Sequence, residues 1–394
     1  MPLRIHLVAV LAAVFAFTAV PARSAPEPYV IPVIIPLTGP GTIVGGPVAQ
    51  TLHIFEGYAN AHGGLRGQPI RFDIKDDGTN IATSVQLLNA VLAAHPAVVL
   101  GPTPTATCNA LAPLAEKAGT VLYCTSPGVI PPKGGYVFCS APALPEFDRG
   151  IIRYMRLKGY KKFAIISSND GSGQANDAAT RAVLALPESK DLKVVTWEHI
   201  NNADIDATAQ ATHIKNSGAD AIIAWVAGPT FGTVLRSLRD AGVDLPLTPN
   251  GANVDPNELT QFNDFLPKEM PLAAFPFMAP QEVQRTPLRG PVNDLIAAYR
   301  AAGVPLTPSV GYVWDTAWIV LNGLRKIGPA ATSDQLRDYI LSLHGFAGVD
   351  GIYDFSAPAD QHGLSDQNVV MVSWDGKSKG WIPLSGLGSV PIKR

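Results

Sequence analysis

The sequence holds three cysteines, few charges and, after its first two dozen residues, no long apolar run. Only 16% of the 394 residues are charged, 30 lysines and arginines against 32 aspartates and glutamates, and no basic tract is interleaved with aromatics. Nucleic acid is therefore not expected as a partner, because its phosphates call for clustered cations. A spanning helix needs roughly 20 apolar residues, and nothing after the start of the chain comes near that. His53, His62, His95, His199, His213, His344 and His362 show no paired-ligand spacing, and no two cysteines are spaced like a metal knuckle. No metal or other cofactor is expected on these grounds.

Catalytic motifs are also missing. Gly39-Pro40-Gly41 follows an apolar run as a dinucleotide fingerprint would, but Val44 stands where the third glycine belongs and Pro40 sits inside the turn. No Gly-Lys-Ser or Gly-Lys-Thr follows a glycine run, and Gly-x-Ser-x-Gly is absent; Gly171-Ser172-Gly173 reads as a loop. Asp76 and Asp77 are adjacent at a strand end, so they point to opposite faces and read as capping and surface residues rather than an acid–base pair. No nucleophile–base set assembles. An enzyme is not expected.

What is present is an apolar, well-packed composition, 47% hydrophobic, long enough for two domains of ordinary size. Arg4 precedes an apolar run of 14 residues, 7–20, and the small residues Ala22, Ser24 and Ala25 follow. Residues 1–24 therefore read as a secretory signal, too short to span, with cleavage between Ala22 and Ala25. With neither a cysteine at that point nor an Arg-Arg pair, the general export route is expected. The exported chain keeps 28 basic and 32 acidic side chains, a formal charge of −4. It should be soluble outside the cytoplasm, where a cysteine pair can oxidise. Cys124 and Cys139 each end a short apolar stretch that can form neighbouring strands, which makes that pair the expected bridge; three buried thiols, Cys108 included, are the alternative.

Three motifs stand in order near the start: Pro36-Leu37-Thr38-Gly39-Pro40, Asn60-Ala61-His62-Gly63-Gly64-Leu65-Arg66-Gly67, and Lys75-Asp76-Asp77. The first ends an apolar run, the second closes a helix-like segment and the third ends the next strand, so together they predict a β-α-β unit. Apolar strands at 30–35, 70–75, 98–100, 121–124, 163–167, 192–197 and 221–226 continue the series. Helical spacing falls between them, as at 82–94 (Val85, Leu88, Leu92) and 230–241 (Val234, Leu235, Leu238), the latter stopped by Gly242. Alternation of this kind predicts mainly parallel sheets covered by helices. Irregular stretches place crossings between two lobes near Ala143, within 267–291 and near 346–353. They divide the chain into 28–143 plus 276–350 and 144–275 plus 351–394. Residues 369–374, Asp375-Gly376 and Trp381-Ile382 predict a closing hairpin.

On the three motifs above, with the Gly101 loop, Ser126-Pro127, Tyr136-Val137-Phe138, Leu238-Arg239-Asp240-Ala241-Gly242 and Gly311-Tyr312-Val313-Trp314-Asp315-Thr316-Ala317, the chain resembles the type I periplasmic solute-binding proteins. The likeness is to the Leu/Ile/Val-binding group that feeds ABC importers. It implies two α/β lobes, each a mainly parallel sheet flanked by helices, joined by three hinge crossings and closing over one small ligand. It further implies a periplasmic monomer that captures a small carboxylate and passes it to a permease. Carried over by position, the carboxylate falls to Thr103, Thr105, Ser126, Gly128 and Val129, with Thr38 and Val44 near the cleft mouth. The resemblance breaks at Asn250, where those binders hold an acid for the ligand's ammonium group, and at Asp170 and Ala227, where they often hold tyrosine. An amide does not compensate a buried ammonium. An aromatic or branched aliphatic acid is thus the expected ligand, and a hydrophobic amino acid held by Asp170 is the alternative; a ligand-sensing subunit of the same fold is a further one. Trp225, Phe231, Phe275, Phe277 and Trp314 are expected as apolar walls, and Asp315 as a hinge or capping residue.

Overall fold

In the computed structural model, which describes residues 26–131, 133–253, 256–356 and 361–393, the first third of the chain alternates strand and helix. The signal read over residues 1–24 lies outside the described residues. The elements are β1 (Tyr29–Ile35), α1 (Thr42–Ala61), β2 (Ile70–Asp76), α2 (Ile81–Leu92), β3 (Val98–Leu100), α3 (Thr105–Ala118), β4 (Val121–Cys124) and β5 (Val137–Cys139). All five strands are parallel, in the order β2-β1-β3-β4-β5. Val33 and Ile35 enter the core on one face while Ile34 enters the core on the other. Burial on both faces is why these strands read as unbroken apolar runs.

A second series follows: α4 (Leu144–Leu157), β6 (Lys162–Ser168), α5 (Gly171–Leu184), β7 (Lys193–Ile200), α6 (Thr208–Asn216), β8 (Ala221–Trp225), α7 (Pro229–Asp240) and β9 (Leu247–Pro249). Its sheet is parallel, ordered β7-β6-β8-β9, so it repeats the order of the first four strands, β2-β1-β3-β4, of the first sheet. Ala164 and Ile166 again face one core, Phe163 and Ile165 the other.

Both series share a second device. Gly45 in α1 lies so close to the end of β1 that an added Cβ would stand 1.9 Å from the Pro36 carbonyl oxygen, and Gly173 in α5 stands equally close to that of Ser168. Only glycine permits this approach of helix to strand end.

After α8 (Pro256–Gln261) and β10 (Pro271–Ala274) the chain returns to the first sheet as α9 (Arg289–Ala302), α10 (Trp314–Ile327) and α11 (Ser333–Leu341). Leu295, Tyr299, Trp314 and Leu321 join the core beneath β1. The hairpin β11 (His344–Ala347) and β12 (Ile352–Asp354) comes next, and β13 (Val370–Asp375) with β14 (Gly380–Pro383) closes the chain. The predicted terminal hairpin is present, with Trp374 opposite Trp381, and β10 adds to it as a third antiparallel strand.

Tyr353, Phe355 and Leu364 pack in the first core, and Phe355 stands edge-on to Phe138. Asp366 is bound to Arg153 of α4. The break at Gly348–Gly351 is a hairpin turn, which looks like a linker in sequence. Asp315 holds that turn: its carboxylate accepts the amides of Val349 and Asp350, each at 2.8 Å.

The expected Cys124–Cys139 bridge is corrected. These residues are register partners on β4 and β5, and parallel strands about 4.8 Å apart hold such Cβ atoms farther apart than the roughly 3.8 Å a disulfide prefers. Cys124 instead bonds Cys108 on α3, with Cα atoms 6.2 Å apart, while Cys139 is a buried thiol. Thiol counting after denaturation should find one thiol, and peptide mapping should join Cys108 to Cys124.

Candidate functional site

Open parallel sheets bind ligands outside the carboxyl ends of their strands, where the strand order reverses. In the first sheet that point lies between β1 and β3, flanked by the turns carrying Thr38 and Thr103. In the second it lies between β6 and β8, flanked by Asp170 and Ala227. The turns carrying Thr38, Thr103, Asp170 and Ala227 thus lie on two equivalent edges.

On the first edge, α3 starts at Thr105 after Pro104, a residue with no side-chain acceptor to cap the helix. The unsatisfied amides of this first turn are donors for an anion. Beside them Thr105 Oγ1 and Ser126 Oγ lie 2.9 Å apart. Gly128 packs against the same pair: a Cβ there would stand 2.5 Å from Thr105 Oγ1. Thr103 is buried one layer below and accepts from Thr125 Oγ1 at 3.2 Å. Val129 turns its side chain into the core, and its carbonyl faces Nε2 of the buried His362 at 2.6 Å; Nδ1 of that ring faces the Ala141 carbonyl at 2.8 Å. His362 therefore ties the Ser126 loop to the segment that leads into α4, a role no local sequence signal announces.

Thr38 is engaged within its own lip. Its hydroxyl donates to Asp76 Oδ2 at 2.7 Å, and Asp76 also accepts the amides of Gly78, Leu37 and Thr38. Led by the Gly78 amide and the Thr38 hydroxyl, these bonds hold the Asp76 carboxyl down to a pKa of about 2. Asp77 points the other way, buried, accepting from Ser84 Oγ and the Thr79 amide. Asn80, not Asp77, caps α2. Val44 sits half-buried in the first turn of α1.

On the second edge Asp170 caps α5, accepting the Gly173 amide at 2.9 Å, Ser168 Oγ at 2.8 Å and Asn202 Nδ2 at 2.7 Å. Burial opposes its ionisation, but these hydrogen bonds outweigh burial and lower its pKa. Ala227 is exposed at the end of β8. Asn250 is half-buried, its amide oxygen taken by the Ala252 amide at 2.9 Å.

The aromatic wall is not where it was expected. Trp225, Phe231, Phe275, Phe277 and Trp314 are all buried in the cores. Trp225 lies beneath α5, its indole donating to Thr180 Oγ1 at 2.9 Å. Apolar surface at the edges comes instead from Leu37, Ile43, Ile81 and Ile130 on the first, and Ile205 on the second, all exposed. Isoleucines in the first turns of α1 and α2 were the available signal. No lysine, arginine or histidine occurs in the edge segments 36–41, 77–80, 101–104, 125–130, 140–143, 169–170, 201–207, 226–228 or 250–253. Two hollows, of about 520 and 630 Å³, lie elsewhere, by Tyr29, His95 and Pro329 and beside α4. No candidate residue lines either one.

A family model described as periplasmic binding protein matches residues 28–380. A curated amino acid binding protein of Pseudomonas aeruginosa is 26% identical over 192 residues, which are 47% of this chain. The match spans about half the length of that relative. Among solved structures, the branched-chain amino acid transporter substrate binding protein of Streptococcus pneumoniae, in complex with isoleucine, superposes with a TM-score of 0.73 at 20% identity over 91% of this chain and 99% of that one. A fatty acid ABC transporter substrate-binding protein from Thermomonospora curvata gives 0.74 at 17% identity, over 92% of each chain. An extracellular ligand-binding receptor of Rhodopseudomonas palustris HaA2 gives 0.77 at 19%, over 91% and 99%. At these identities the structures establish the fold.

Proposed function

The chain belongs to the periplasmic binding protein family, a family of binding proteins and not enzymes, and we propose that it captures a small monocarboxylate with an apolar body for an ABC importer. Capture takes place in the periplasm, and closure of the two units over the ligand presents it to a permease. Ligand contacts from both edges favour the closed state and shift the population toward it.

The carrying observation is the donor set. Thr105, Ser126 and the first-turn amides of α3 offer hydrogen bonds to a carboxylate, with no cation in any edge segment. Neutral donors suit a single negative charge and leave a multiply charged anion uncompensated. The opposite edge lacks a spare acid for an ammonium group: Asn250 is an amide, and Asp170 already accepts three hydrogen bonds. The exposed isoleucines favour an apolar body on the ligand.

The experiment is a thermal-shift comparison of L-leucine, 4-methylpentanoate, L-phenylalanine and phenylacetate. The two amine-free acids should stabilise the protein and the two amino acids should do so little. Saturating stabilisation by L-leucine alone would replace this proposal with the amino-acid reading, which the curated relative's name favours and in which Asp170 holds the ammonium. Thr105→Ala and Ser126→Ala should each weaken binding by about 1–3 kcal/mol. Unchanged affinity in both would return these residues to a purely local role.

A further inference from the structure

We infer that the Cys108–Cys124 disulfide is a positioning element for ligand recognition, holding the first turn of α3 against the loop after β4; this rests on the carboxylate site proposed above. Cys108 lies three residues after Thr105 and Cys124 two before Ser126. The bond therefore joins the two segments one helical turn beneath the Thr105–Ser126 hydroxyl pair. Its sulfurs belong to residues with no exposed surface, within the small core that also contains Leu111, Leu122 and Val129.

The need for a covalent tie follows from how the site is built. Two hydroxyls from segments 21 residues apart must sit within hydrogen-bond reach of each other and of one ligand group. Hydrogen bonds tie the two segments only ahead of α3, from the Thr125 amide to the Pro102 carbonyl at 3.1 Å and from Thr125 Oγ1 to Thr103 Oγ1 at 3.2 Å, whereas at the helix start Pro104 supplies no cap and the Gly128 amide lies 3.4 Å from Ser126 Oγ, a long bond. Gly128 is bare where a Cβ would push Thr105 away, so the loop rests directly on α3. A preformed arrangement binds more tightly because it loses less freedom when the ligand arrives. The bridged cysteines, 16 residues apart, close a short loop, and Thr105 and Ser126 stand just outside its two ends, so the bond pins together the points from which both donors project.

The test uses Cys108→Ala/Cys124→Ala. Removing both cysteines matters, because a Cys124 left alone would face its register partner Cys139. Two readouts are taken on the full chain. In hydrogen exchange followed by mass spectrometry, peptides over residues 101–107 and 125–130 should exchange at least tenfold faster than in the parent, with β1 and α10 unchanged. Affinity for the two probes, 4-methylpentanoate and L-leucine, should fall at least tenfold for whichever binds the parent, and adding Thr105→Ala should then cost less than it does in the parent. Faster exchange spread over the whole chain, or affinity at the parent's level, would overturn the inference. If neither probe binds the parent, the proposed ligand class fails while the exchange pattern still decides whether the bond orders the two segments. Should the double alanine variant not fold, Cys108→Ala/Cys124→Val refills part of the space and carries the same readouts. Failure of both to fold overturns the inference, since the bond would then serve the whole unit.

Discussion

Asp148→Asn should abolish a loss of stability that the parent protein suffers between about pH 4 and pH 8. Asp148 is 1% exposed in α4, and burial pushes its pKa from 3.8 up to about 8 against the opposing hydrogen bond from Thr180 Oγ1. Its Oδ1 has no hydrogen-bond partner among the described residues. Because the folded pKa lies above the unfolded one, folding takes up a proton anywhere between the two values. The stability associated with the neutral carboxyl is therefore complete below about pH 4, falls as pH rises and is gone above about pH 8. Each pH unit in that window removes roughly 1.4 kcal/mol, about 6 kcal/mol at most over the whole of it. Urea unfolding of parent and variant from pH 4 to pH 9 isolates this group, since the others titrate in both. The variant should be close to the parent at pH 4 and clearly more stable at pH 8.5. Parallel curves throughout would mean that Asp148 is ionised in the folded protein. The residue also matters for the second edge, because Asp148, Thr180 and Trp225 form one buried chain of hydrogen bonds that keeps the indole in the core.

Two glycines of the same helix should respond to alanine with opposite signs. In α1, Gly45→Ala drives a Cβ onto the Pro36 carbonyl, and since both groups are backbone, helix and strand must separate. The cost should be about 3 kcal/mol, the range of severe overpacking. Gly57, exposed in the same helix with nothing within 4 Å of its missing Cβ, should gain roughly 1 kcal/mol from helix propensity. Gly173→Ala in α5 should match Gly45→Ala and displace the cap made by Asp170. Denaturant midpoints measured at constant m-value provide the comparison. Equal effects at positions 45 and 57 would sink the close-approach argument. A cost at 45 would show that the lip carrying Thr38 is held by backbone contact as well as by Asp76.

Much of this architecture was legible in the sequence because its signals are local. Unbroken apolar runs, helical spacing and glycine stops each occupy a few residues, and they locate all seven strands expected from sequence, the helix from Ile81 and the terminal hairpin. The edge residues Thr105, Ser126 and Asp170 were reached through the resemblance to the type I binding proteins, and the fold sets them past strand ends, where a doubly wound sheet exposes its loops. Whether Thr105 and Ser126 take a ligand carboxylate is decided by the binding experiments.

The sequence by itself determined an α/β chain of mainly parallel sheets and the absence of lysine, arginine and histidine from the segments that follow their strands, since strand alternation and side-chain charge are properties of short segments. Tertiary structure alone decided that Cys124 bonds Cys108 and not Cys139, that Trp225 faces Thr180 and not the edge, that His362 ties Val129 to Ala141, and that Phe355 packs against Phe138 in the first core. The disulfide and the Trp225 contact turn on which face of a helix or strand meets its neighbour. The other two join groups more than two hundred residues apart, and such contacts are chosen by packing, of which no short stretch of sequence keeps a record.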